Sequence, residues 1–136
     1  MAFLAGCAIF MSSTTPLKQQ ARWLTQLGTE VVDPIKFNEV FLNIGNAYSS
    51  SSGRFTCAYS GVHQFFFSAN SQQKVPTELC LMVNSWCRVT SKADPDKNVT
   101  GNVGMALLEL QKGNTVWVSQ VMGGSWANVT FGGMLL

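Results

Sequence analysis

Charge is what this sequence has least of. Only 12% of its 136 residues are Asp, Glu, Lys or Arg, about half the roughly 25% of a typical soluble domain. A monomer of this size has to show water-compatible surface almost everywhere. So low a charge count therefore predicts that another chain covers part of the surface. The nine Lys and Arg are scattered and the formal net charge is +2, which leaves no basic stripe and argues against nucleic acid as a partner. Histidine is nearly absent too, His63 being the only one. Any Ser–His–acid or Cys–His arrangement would have to use it, and it lies in an aromatic strand segment. It therefore reads as structural, and the chain as no enzyme. The four cysteines, Cys7, Cys57, Cys80 and Cys87, form no Cys-x-x-Cys pair, so zinc-ligand spacing is missing. No phosphate loop or dinucleotide fingerprint occurs. No apolar run reaches the ~18 residues that cross a bilayer, so no membrane insertion is expected. Repeats, a collagen-like Gly-X-Y segment and low-complexity tails are lacking as well, and the length fits one domain over residues 1–136.

What is present is strand. "HQFFFSAN" (63–70), "TELCLMV" (77–83), "WCRVTS" (86–91), "VGMALLEL" (103–110), "TVWVSQVM" (115–122) and "VTFGGMLL" (129–136) are short, apolar and rich in β-branched and aromatic residues. Asn84-Ser85, Asp94-Pro95-Asp96, Gly113-Asn114 and Gly123-Gly124 punctuate them as turns. Such spacing predicts an all-β sandwich or barrel. Several strands are apolar on both faces: Leu107 and Leu108 point opposite ways, as do Phe66 and its neighbours Phe65 and Phe67. One face can fill a sandwich, and the other needs a second cover, which again predicts an oligomer. "TPLKQQARWLTQLG" (15–28) departs from this pattern. Thr15 as N-cap, Pro16 at the first helical position, Leu17, Ala21, Leu24 and Leu27 on one face and Gly28 as a stop predict a short helix in a long connection. The start, "MAFLAGCAIFMSS", lacks a positive n-region and reads as a buried strand rather than a signal peptide.

The pattern Phe37-x-x-Val40-x-x-Asn43-x-Gly45-x-x-Tyr48-x4-Gly53-x-Phe55-x-Cys57-x-x-x-Gly61-x-x-x-Phe65-x-Phe67 resembles the signature of the complement C1q globular-domain family. "VGMALLELQKGNTVWV" (103–118) is similar to that family's strand-loop-strand ending in Gly-Asp-x-Val-Trp, "TFGGMLL" (130–136) to its closing strand and "CAIFMSS" to its first. The resemblance implies a ten-stranded jelly-roll β-sandwich of the C1q and tumour-necrosis-factor type, a homotrimer and a secreted, extracellular setting. Phe37, Asn43, Gly45, Tyr48, Gly53, Phe55, Gly61, Phe65, Phe67, Trp117, Phe131 and Gly132 then become core or trimer scaffold. Two departures stand out: His63 replaces an aromatic, and Asn114 an aspartate.

The resemblance also implies binding rather than catalysis. The favoured expectation is a lectin-like pattern-recognition module of innate immunity that binds microbial surfaces or glycans. The rivals are a signalling ligand that clusters a cell-surface receptor and a structural trimerisation module. Some family members bind calcium, and Asp94 and Asp96 offer hard oxygen ligands in the matching region, although Asp-Pro-Asp is equally an ordinary turn. Trp126 and Asn128 in "GGSWANVT" (123–130) read as a loop aromatic with an amide, suited to stacking on and bonding a sugar. A sandwich cap is the alternative for Trp126. Arg88 completes this candidate set, on the expectation that its loop lies near theirs. Cys80 and Cys87 flank the Asn84-Ser85 turn, seven apart and on one face, so they either close the hairpin as a disulfide or stay free. Cys7 and Cys57 read as buried free thiols. Asn98 and Asn128 begin N-glycosylation sequons, of which chance supplies about 1.5 at this composition.

Overall fold

The computed structural model describes residues 8–13, 33–37, 39–71, 76–94, 101–122 and 126–136. The helix expected over 15–28 and the Cys7 thiol lie outside the described residues. Ten strands follow in order: β1 (Ala8–Ser13), β2 (Glu39–Ile44), β3 (Tyr48–Ser49), β4 (Arg54–Thr56), β5 (Gly61–Ser71), β6 (Thr77–Val83), β7 (Trp86–Ala93), β8 (Gly101–Leu110), β9 (Thr115–Met122) and β10 (Trp126–Leu135). They form two five-stranded sheets, β2-β1-β10-β5-β8 and β3-β4-β9-β6-β7. Every pairing is antiparallel. The first and last strands pair at the centre of one sheet, and β7 and β8 adjoin along one side of the sandwich. This is the jelly roll that the resemblance implied.

Period-two alternation decides which side chains fill the space between the sheets. From β5, Phe65 and Phe67 point inward, from β10 Val129 and Phe131, from β6 Leu79 and Leu81, and from β9 Val116 and Val118; all are buried. The ring of Phe65 stacks near Phe131 at 6.0 Å and meets Phe55 edge-on at 5.1 Å, while Phe37 tilts against Phe131 at 5.7 Å. Full burial of such a ring stabilises by roughly 3 kcal/mol. These rings need room in the strand alongside. Phe67 lies opposite Gly104 and Phe65 opposite Gly133, so each ring lies over a bare backbone.

The Tyr48 motif is a backbone device. Asn43 Nδ2 donates to the Tyr48 carbonyl at 2.9 Å, and the Tyr48 N–H donates to Asn43 Oδ1 at 3.2 Å, so one amide side chain replaces a missing strand partner. The turn between them needs φ of 88° at Gly45. The Tyr48 hydroxyl accepts from the Phe37 N–H at 3.0 Å, and burial pushes its pKa up to about 12. The serine run makes the next turn. The Ser52 N–H donates to Ser49 Oγ and the Arg54 N–H to Ser52 Oγ, while Gly53, at φ 74°, passes so close to Pro34 that a Cβ would sit 2.9 Å from Cγ.

A methyl group at residue 104 would meet the edge of the Phe67 ring. Gly104→Ala is expected to destabilise the fold by about 1–3 kcal/mol through overpacking, read from urea midpoints. Phe67→Leu in the same chain should recover part of the loss. Additive losses would show that the two positions do not share space.

Candidate functional site

The two ends of the sandwich carry different residues. One end holds the termination of β5 at Ser71, β7 at Ala93 and β9 at Met122, and the starts of β6 at Thr77, β8 at Gly101 and β10 at Trp126. Asp94, Trp126 and Asn128 are thus brought to a common end by topology. Asp94 is half-buried just past β7; Asp96 and Asn98 lie outside the described residues. Trp126 and Asn128 do not stand in a loop. They open strand β10, Trp126 paired with Ser71 and Asn128 with Asn70, because β5 runs to Ser71 and gives the incoming chain a partner to extend along. Arg88 does not join them. It is six residues before Asp94, a span of roughly 20 Å in an extended strand, in the bulge created where Met82 pairs with Cys87 and Leu81 with Val89.

Among the described residues no three His, Cys, Asp or Glu side chains gather as a metal site. Calcium takes six to eight oxygen ligands, and Asp94 is the one carboxylate of the expected pair within the described residues. No step is therefore assigned to a metal.

Among the described residues, the pairing with the look of chemistry is Cys57 with His63, Sγ to Nε2 3.8 Å. Both are buried. Burial pushes the thiol up and the imidazole down, the latter opposed by a bond between Nδ1 and the Gly61 carbonyl at 3.1 Å. Thiol and imidazole are both held neutral, the reverse of a thiolate–imidazolium nucleophile. His63 instead fills an aromatic position, stacked on Phe65 at an interplanar angle of 13° and edge-on to Phe55.

On the outward face of the β9 sheet, Trp117 is buried under Arg54, whose guanidinium lies 4.6 Å from the ring centroid. Trp117 Nε1 donates to Asp33 Oδ1 at 2.8 Å and Ser119 Oγ donates to the same oxygen. These bonds, with the Ile35 N–H donating to the Val118 carbonyl at 2.8 Å, tie residues 33–37 along β9 beyond the short β4. Trp117 is thus neither inter-sheet core nor open surface. On the same face Cys80, buried, is joined to exposed Cys87 as a disulfide, Cα atoms 5.9 Å apart. Asn114, in place of aspartate, accepts from the Gln111 N–H at 2.7 Å and keeps the turn capped.

The outward face of the other sheet carries an apolar patch. Val103, Met105 and Leu107 are 75%, 59% and 61% exposed, with Phe66 and Met134 beside them. Leu108, in contrast, packs on the core. Three exposed aromatics among the described residues lie outside the sequence-based candidate set: Phe41 at 62% on β2, and Trp86 at 72% and Tyr59 at 54%, the last two at the end opposite Asp94. The signal for Trp86 is its place directly after the two-residue turn, on the last rung of the hairpin, opposite Val83.

The neutral, buried His63 sets a pH dependence. Its folded pKa lies below 6.5, so between those values the unfolded chain binds more protons and stability falls as pH drops, by up to about 1.4 kcal/mol per pH unit. His63→Phe is expected to flatten that slope in urea titrations across pH 5 to 7. An unchanged slope would move the acid sensitivity to other groups.

Residues 20–136 match the C1q domain. The chain is 34% identical over 111 residues to Caprin-2 of Danio rerio, covering 76% of this chain and 12% of that protein. It is 32% identical over 111 residues to a complement C1q subcomponent of Mus musculus, covering 75% and 43%. It thus spans less than half the length of either relative. Among solved structures, the globular domain of zebrafish complement 1qA superposes with a TM-score of 0.71 at 21% identity over 96% of this chain and 97% of that one. Murine APRIL at pH 5.0 superposes with 0.63 at 6% identity over 93% and 98%, a likeness of fold alone. With the domain matched from residue 20 to the last residue and its jelly roll in place, this chain belongs to the C1q domain family.

Proposed function

We propose that the chain is a secreted, homotrimeric recognition module that binds microbial surfaces or glycans in innate immunity. The carrying observation is the apolar outward face of the β2-β1-β10-β5-β8 sheet, with Val103, Met105 and Leu107 open to water in a chain of 12% charge. Covering each of these side chains with a second copy contributes about 1–2 kcal/mol. Domains of this type typically form homotrimers. Three copies multiply weak single sites by avidity. The ligand reading draws support from the complement protein among the relatives and from the common end that Asp94, Trp126 and Asn128 share. Asp94 and Asp96 are the residues that would take part in calcium dependence.

Light scattering is expected to give a mass of about 44 kDa, three times the chain's 14.8 kDa. Leu107→Asp should shift it to the monomer; a wild-type monomer at micromolar concentration would overturn the assembly. Binding to a panel of immobilised glycans and microbial surfaces, with calcium and then with chelator, tests the ligand. Sugar-competable binding that weakens several-fold in Trp126→Ala supports the reading, and loss with chelator makes Asp94 and Asp96 metal ligands. No binding in either condition favours a receptor-clustering ligand instead.

A further inference from the structure

The β6–β7 hairpin stands at the end of the sandwich opposite Asp94 and Trp126, and it is built more firmly than a connection requires. Its two turn residues, Asn84 and Ser85, have φ of 48° and 75°, the twist that suits a two-residue hairpin. The Asn84 N–H donates to the Thr115 carbonyl, and Asn84 Oδ1 accepts from the Thr115 N–H, each at 2.9 Å. The Cys80–Cys87 disulfide begins one residue past Trp86. None of these restraints needs an indole, yet Trp86 is 72% exposed. Arg88 follows in the bulge, exposed.

A second loop flanks the same stretch of β9. The Cys57 N–H donates to the Asn114 carbonyl and the Gly113 N–H to the Cys57 carbonyl, both at 2.8 Å. Those bonds set Tyr59, 54% exposed, across Asn114-Thr115 from the hairpin. Exposed Lys112, in the β8–β9 connection, is tied to the second loop, its N–H donating to Ser60 Oγ at 3.0 Å. Among the described residues neither Arg88 nor Lys112 pairs with a carboxylate, whereas Lys92 on the same strand as Arg88 pairs with Glu78. Glu109 reaches this end too, on the outward face of the other sheet.

We propose that Trp86, Tyr59, Arg88 and Lys112 form a docking surface for an acidic peptide segment of a protein partner. Trp, Tyr and Arg are the residues that carry most of the energy in protein interfaces, and a pre-fixed aromatic loses little freedom on binding. Pockets for small molecules are concave, whereas Trp86, 72% exposed, is a knob that needs a pocket in its partner. The two cations, unpaired with any described carboxylate, call for carboxylates around that pocket. The surface goes beyond the saccharide reading of the opposite end and stands whether or not that end binds sugar.

The test pans a displayed library of random peptides on the purified protein and measures selected peptides by fluorescence polarisation. The expected result is enrichment of Asp- and Glu-containing peptides with an apolar residue. Their affinity should fall at least tenfold in Trp86→Ala and several-fold in Arg88→Gln and Lys112→Gln, weaken with salt, and be unchanged in Asp94→Asn. Trp86→Phe, with a ring of similar character, should retain much of the binding and shows that the hairpin is intact. Failure to enrich acidic peptides, or equal binding to Trp86→Ala, overturns the proposal. So does Trp86-dependent binding to phosphatidylserine–phosphatidylcholine vesicles without acidic peptides, which would assign the surface to a lipid. The glycan panel with Trp126→Ala reads the other end separately, so the two readings fail independently.

Discussion

Phe65, Phe67 and Phe131 can lie between the sheets only because glycine stands across the strand from the first two. That aromatic-over-glycine seam holds β5 between β8 and β10, and it sets the inward parity of three strands at once. With inward positions taken by rings, the alternate positions of the same strands are driven outward. The apolar outward face of β8 and β5 is therefore a consequence of how the core is filled, added to side chains chosen as Val103, Met105 and Leu107 rather than charges.

The two sheets solve the problem of their outward faces differently. The β9 sheet is covered from within the chain: residues 33–37 lie along it, Asp33 takes the Trp117 and Ser119 donors, Arg54 stacks on the indole, and the disulfide lies over Cys80. A polar outer layer with satisfied bonds results, and Trp117 loses its exposure without entering the core. The β8 sheet has no such cover among the described residues. Its large side chains Val103, Met105 and Leu107 are left open to water, and a second copy of the chain is the cover proposed for them.

The same economy explains the histidine. A position that resembles an aromatic site in the family is filled by His63, whose ring stacks on Phe65 like any other aromatic. The cost is a titratable group in an apolar setting, so the core becomes sensitive to acid. Proximity to Cys57 creates no reactivity, since burial holds both groups in their neutral forms.

Much of this fold was legible in the residues themselves. Strand periodicity is local, so the two-faced character of 63–70 and 103–110, and with it the need for a second cover, can be read from alternation alone. So can the Asn84-Ser85 hairpin and the shared face of Cys80 and Cys87, because a two-residue turn sets register. The distribution of sites was not legible. Which loops meet depends on pairings between strands far apart in the chain, such as β1 with β10 and β4 with β9. Those pairings gather Asp94 and Trp126 at one end, leave Arg88 in a bulge away from them, extend β10 back to Trp126 and bring Trp86 and Tyr59 to the other end, on either side of β9 and β6. Composition and alternation determined that the chain would make a sandwich with a face to hide. Only long-range register, with the bonds from Asp33 to residues 84 and 86 positions away as its plainest case, decided which side chains share a surface.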